Sequence, residues 1–338
     1  MNGDRKYILD KPFALESGRF LDKVTIAYNT YGELNEDRDN VIVICHALSA
    51  NSDAQEWWPD LFGPGRIYDP TKFFILCANN LGSPYGTTSP LSSDSKGNKY
   101  GLDFPFFTIR DTANLYLQFL KEKNIKKIHL LIGGSCGGSV ALEMAMRLSD
   151  SLSYMALLCC SKQEMPWVVA IHESQRIALF RDKTFKSKNP EAGKKGLYAA
   201  RAIAMPFYRH PESLNKRQKE ESNDIINNFK AASYINYQGK KFADRFDAHC
   251  YYHLLNALDS HNVARGYDSF SVALSLIKAK TLVLGFSTDI LIPPSEQEEL
   301  ADLIPHGESI IIKTIFGHDA FLIETDAINE AVVRFLNN

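Results

Sequence analysis

The hexapeptide Gly133-Gly134-Ser135-Cys136-Gly137-Gly138 constrains this chain more than any other segment. An apolar run at 128–132 leads into it and a helical pattern at 139–148 follows it. A strand that turns into a helix within so few residues needs positions without a Cβ, and the serine between the glycines is forced to the apex of the turn. The pattern fits G-x-S-x-G, the nucleophile elbow of strand–turn–helix serine enzymes. Its plain alternative is a glycine-rich turn that packs, or that receives an anion at a helix N-terminus. The P-loop pattern fails because Ser139 and Val140 follow Gly138, and the dinucleotide fingerprint fails because Ser135 occupies its second glycine position.

The rest of the chain supplies a sheet for such an elbow. Short aliphatic or β-branched runs at 41–45, 73–77, 128–132, 154–158, 281–284 and 309–313 read as strands buried on both faces of a mostly parallel sheet. Helical patterns at 109–123, 139–148, 296–303 and 327–336 alternate with them, which predicts a doubly wound α/β fold. No buried strand is evident between Leu158 and Thr281, where helix-like pieces at 196–204, 216–234, 239–258 and 270–278 predict an inserted helical lid. The expected division is a catalytic α/β unit from 1–160 and 276–338, with the lid at 161–275. The glycine- and proline-bearing segment 81–103 reads as a long functional loop.

Composition removes other classes. Lys and Arg number 38 against 40 Asp and Glu, for a net charge of −2 without a basic tract, so no nucleic-acid partner is expected. The polar start, Met1 to Lys6, lacks a signal-peptide core, and no apolar run approaches the ~20 residues that span a bilayer. No membrane association and a cytoplasmic location are therefore expected. Six cysteines without C-x-x-C spacing predict neither a zinc site nor a disulfide framework, but small core side chains.

An elbow serine needs a base and an orienting carboxylate, which follow it in the chain order Ser, Asp/Glu, His. Asp289 lies just past the run 281–284 and His318 just past 309–313, each at a strand C-terminal end. Of the nine histidines only His318 combines a late position, a strand end and a preceding glycine. Backbone N–H groups of Cys136 and of the segment Cys45 to Ser49, with Leu48 foremost, are the expected oxyanion donors.

These segments, with HALS at 46–49, WWPDLFG at 57–63, NLGSPYG at 80–86, DFPFFTIRD at 103–111, YQGKKF at 237–242, DSHN at 259–262 and GHDAFL at 317–322, make the chain similar to the homoserine O-acetyltransferase family. The resemblance covers nearly the whole chain and implies the α/β-hydrolase fold, the triad Ser135, Asp289 and His318, and the oxyanion donors Leu48 and Cys136. It also implies Arg201 and Tyr208 against the amino-acid carboxylate and Asp319 against its ammonium. Two helical turns separate Arg201 from Tyr208, so both can face one cavity, with Pro206 between them as a site for a kink. Acetyl-CoA and L-homoserine are the implied substrates, with no bound cofactor or metal, a homodimer as the assembly and methionine biosynthesis as the setting. Serine O-acyltransferase, homoserine O-succinyltransferase, an esterase with the same triad and a noncatalytic binding protein remain the alternatives. The chain departs from the family at Cys136, where a longer apolar residue is commoner, and at 180–185, which lacks a tryptophan.

Overall fold

The computed structural model describes residues 5–338; the first residues of the polar start lie outside them. The described residues form ten strands: β1 (Arg5–Ile8), β2 (Phe13–Ala14), β3 (Phe20–Leu21), β4 (Thr25–Tyr31), β5 (Val41–Cys45), β6 (Phe74–Ala78), β7 (Ile128–Gly134), β8 (Leu152–Leu158), β9 (Lys280–Phe286) and β10 (Gly307–Ile312). Eight of them form one sheet in the order β1-β4-β6-β5-β7-β8-β9-β10, and β2 pairs with β3 apart from it. From β6 to β10 every neighbouring pair is parallel, while β4 runs antiparallel to both β1 and β6. The six apolar runs in the sequence are thus the six parallel strands. The connection from β6 to β7 passes over β5, which makes the C-terminal edge near β5 and β7 the point where ligands gather in such sheets.

Side-chain alternation explains why these runs contain no polar interruption. In β5, Val41, Val43 and Cys45 join one core with Phe119, Val140 and Met144, whereas Ile42 and Ile44 join a second core with Trp58, Ile328 and Phe335. Both faces of the strand are therefore covered, and each buried aliphatic side chain contributes roughly 1.5–3 kcal/mol relative to exposure. The helices that cover the sheet are α1 (Ala54–Trp57), α2 (Ile109–Glu122), α3 (Cys136–Leu148), α10 (Pro294–Leu303), α11 (Ala320–Ile323) and α12 (Thr325–Leu336). α2 starts at a capping box: Thr108 Oγ1 accepts from Asp111 N–H at 3.1 Å and Asp111 Oδ2 accepts from Thr108 N–H at 2.9 Å.

Between β8 and β9 the chain forms α4 (Pro166–Arg181), α5 (Lys194–Tyr208), α6 (Pro211–Arg217), α7 (Lys230–Arg245), α8 (Ala248–Asp259) and α9 (Phe270–Leu274), with no strand of the main sheet. Two of the expected lid helices are corrected. The pattern at 216–234 spans the end of α6, a non-helical stretch and the start of α7. The pattern at 239–258 is broken at Phe246, which is extended, and at Asp247, whose carboxylate accepts from Cys250 N–H at 2.8 Å and so starts α8 afresh. Pro206 does not end α5: it lies three positions from the C-terminus, where the missing N–H costs a single intrahelical bond. Among the described residues, no helix is long and apolar enough to cross a membrane.

Candidate active site

Ser135 is the residue between β7 and α3, with φ 54° and ψ −124°, a strained backbone for a side chain-bearing residue. Close approach explains two of its flanking glycines. A Cβ on Gly133 would lie 2.3 Å from Gly137 O, and one on Gly137 would lie 2.0 Å from Cys45 O. The elbow is thus pressed against β5 as well as against itself, and Ser135 N–H is fixed by Leu158 O at 2.9 Å.

Two later loops bring the base and the acid. His318 sits in a single helical turn after β10 and directs Nε2 to Ser135 Oγ at 2.9 Å. Its Nδ1 is 2.7 Å from Asp289 Oδ2. Asp289 follows β9, and its other oxygen accepts from Leu291 and Ile292 N–H at 2.9 and 3.0 Å, which fixes the carboxylate. All three residues thereby meet at the C-terminal end of the sheet. Burial alone would lower the His318 pKa, but Asp289, Asp319 and Glu164 hold it above its ordinary value. Cys159, with its ligand atom in the same cluster of under 4.8 Å as those of Asp289 and His318, adds a buried thiol, and burial raises its pKa well above the ordinary value.

The triad opens on a cavity of about 580 Å³, which Leu48, Cys136, Arg201, Tyr208 and Asp319 also line. Leu48 belongs to a loop held by a histidine that the sequence did not single out. His46 Nε2 accepts from Asn80 N–H at 3.0 Å and its Nδ1 lies 2.8 Å from Ala47 O, an arrangement that suits the neutral ring. Burial presses its pKa down to about 4. The thiol of Cys136 is pushed up to about 12, mainly by burial, so this residue brings a backbone N–H rather than a thiolate to the site.

Arg201 and Tyr208 both reach the cavity from α5. The guanidinium lies 5.0 Å from the Tyr208 ring centroid and 4.7 Å from that of Phe242, and Tyr208 is hydrogen-bonded to Arg201 and Tyr251. Asp319, by contrast, is engaged by Arg209 at 2.9 Å. Glu164, His172, Gln175, Lys241 and Arg245 line the same cavity and were not anticipated from sequence. Lys241 falls within the YQGKKF motif without being singled out, and nothing in the local pattern separated Glu164 from an exposed carboxylate.

Residues 40–325 match the model of the alpha/beta hydrolase fold family. A homoserine O-acetyltransferase from Cyclobacterium marinum is 41% identical over 332 residues, covering 97% of this chain and 94% of its own. The chain belongs to the homoserine O-acetyltransferase family. A crystal structure of the homoserine O-acetyltransferase from Bacillus anthracis superposes with a TM-score of 0.91 at 27% identity, covering 99% of this chain and 97% of that one. Esterase E22 superposes with a TM-score of 0.88 at 25% identity, covering 98% and 99%. The homoserine O-acetyltransferase family and an esterase thus share this framework.

Proposed function

We propose that this protein transfers an acetyl group from acetyl-CoA to the hydroxyl of L-homoserine by a ping-pong mechanism in methionine biosynthesis. The observation that carries the reading is the Ser135–His318–Asp289 hydrogen-bonded relay at the base of a cavity that also presents Arg201 and Tyr208. In the first half-reaction His318 Nε2 takes the Ser135 proton as Oγ attacks the thioester carbonyl. The tetrahedral oxyanion accepts N–H donation from Leu48 and Cys136. Collapse breaks the C–S bond, and CoA leaves as the thiol with the proton from His318. In the second, His318 takes the proton of the homoserine hydroxyl, the alkoxide attacks the acyl-serine, and Ser135 leaves with that proton.

Arg201 is assigned the α-carboxylate, which a guanidinium holds through two parallel hydrogen bonds, with Tyr208 beside it. Asp319 is assigned the ammonium; on this reading, substrate displaces Arg209 from it. The reaction uses acetyl-CoA as substrate and calls for no resident cofactor or metal. The helical segment 161–275 serves to keep water from the acyl-enzyme so that homoserine is the acceptor. Six free, buried cysteines accord with a reducing cytoplasm, and the exposed Ile225, Ile226 and Phe229 on the lid side offer an apolar patch for a homodimer.

Thiol release from acetyl-CoA or succinyl-CoA, each with L-homoserine, L-serine or neither, with product mass determined, tests the reading. Release dependent on L-homoserine with acetyl-CoA, yielding the O-acetyl ester, is expected, and Ser135→Ala should lower kcat more than ~10³-fold. The esterase reading has the E22 superposition in its favour and predicts release that ignores the amino acid. Preference for L-serine or succinyl-CoA would assign a sister transferase.

A further inference from the structure

Two carboxylates in the reaction cavity have no task in this mechanism, and of these Glu56 accepts from the Asn51 side-chain amide at 2.9 Å. Glu164 lies on the segment between β8 and α4, and its N–H donates to His261 O at 2.9 Å while its neighbour Gln163 bridges to Asn262. The backbone is thereby fixed between two parts of the lid. Its side chain lines the same cavity as Ser135, Cys136 and His318. One oxygen accepts from Met165 N–H at 3.3 Å, and among the described residues no Lys or Arg forms an ion pair with it. The charge acts on both sides of the nucleophile: it raises the Cys136 thiol and favours the protonated form of His318.

Charge, as well as volume, bears on which acyl group this cavity accepts. The cavity is about 580 Å³, and Cys136, Ser139 and Ser161 on its wall are all small. Small side chains beside the nucleophile leave size a weak filter, which gives charge a part in discriminating among donors. Arg209 is held by Asp319 and Arg245 by Ser49 O and the Tyr85 hydroxyl, Lys241 is exposed to solvent, and Arg201, set against aromatic rings, is assigned to the acceptor carboxylate on the reading above.

We propose that Glu164 selects the acyl donor, its carboxylate excluding thioesters whose acyl chain ends in a carboxylate, such as succinyl-CoA, in favour of the uncharged acetyl group. The inference rests on the acyl-transfer reading above and deepens it. Selectivity of this kind comes from a repulsive element rather than from a better fit to the favoured donor, because acetyl offers almost nothing to grip. Two like charges in a cavity partly shielded from water repel far more strongly than in bulk solvent.

The repulsion depends on pH in a definite direction. Burial pushes the Glu164 pKa up to about 7, with His172 opposing and Asp259 reinforcing the rise and His318 opposing it from the other side. The carboxylate is charged above that value and neutral below it. The Cys136 thiol also faces it but is neutral throughout this range. Discrimination against succinyl-CoA is therefore strongest in alkali and relaxes on acidification.

The test is kcat/KM for acetyl-CoA and for succinyl-CoA with saturating L-homoserine, from pH 6 to 8.5, in the wild type and in Glu164→Gln. The expected result is a succinyl-to-acetyl ratio that rises about tenfold or more in Glu164→Gln at pH 8, and that falls with pH in the wild type but not in the variant. An unchanged ratio would overturn the proposal, as would a higher homoserine KM with donor preference intact, since Glu164 would then be holding the acceptor. A flat wild-type ratio across this range would also overturn it, without reliance on the variant. Failure of the wild type to acetylate homoserine is a separate outcome that removes the acyl-transfer reading itself.

Discussion

At Gly137 a single added methyl group would sit 2.0 Å from Cys45 O, and neither backbone can retreat without moving β5 or α3. Gly137→Ala should therefore cost about 3 kcal/mol or more, read as a fall in the urea midpoint, whereas an unaltered midpoint would mean that the elbow can slide. The histidine of the relay makes a second residue-scale prediction. Although burial disfavours the imidazolium, Asp289 and the nearby Asp319 favour it more, so the base is protonated up to a pH above the usual 6.5. The acid limb of kcat/KM for acetyl-CoA should have its midpoint above that value and should move down in Asp319→Asn; a limb below 6.5 would contradict the assignment. Ser135, Asp289 and His318 were legible in the sequence because the fold dictates both their order and their position at strand ends. Glu164 and His46 were not, because their importance arises from burial and from partners far away in sequence, such as Asn80 for His46.

At the scale of elements, α5 carries the proposed acceptor site. A lysine reaches the same region, near Tyr208 and Phe242, but cannot form the paired hydrogen bonds of a guanidinium. Arg201→Lys should raise the homoserine KM about tenfold or more while the burst of thiol release from acetyl-CoA persists; loss of both would mean that Arg201 supports the first half-reaction instead. The six parallel strands could be read from the sequence because burial on both faces leaves continuous apolar runs. β1 and β4 could not: β1 is largely exposed, and β4 mixes Thr25, Asn29 and Thr30 with apolar residues at the antiparallel side of the sheet. In the lid, periodicity alone ran α7 into α8, because the break rests on one extended residue and one capping aspartate that leave the apolar spacing intact.

For the whole molecule, buried neutral histidines link stability to pH. Burial lowers both His46 and His253 to about 4 from an ordinary 6.5. Between those values the unfolded chain binds protons that the folded chain refuses, so stability is complete above 6.5 and declines as pH falls toward 4. The loss should reach about 3 kcal/mol per histidine at most, seen as a falling thermal midpoint whose slope is reduced in His253→Gln; an identical slope in that variant would remove His253 from the account. The sheet has a seam. β8 and β9 are adjacent and parallel, with Leu158 opposite Leu284, yet the entire lid lies between them in sequence. Pairing across so long a loop is slow to form, because its closure entropy comes due before any contact compensates it. Ser135 precedes the seam, whereas Asp289 and His318 follow it. A folding chain that had closed β5 to β8 but not this seam would hold the serine at its apex yet chemically idle, and opening of the same seam under denaturant would part Ser135 from Asp289 and His318.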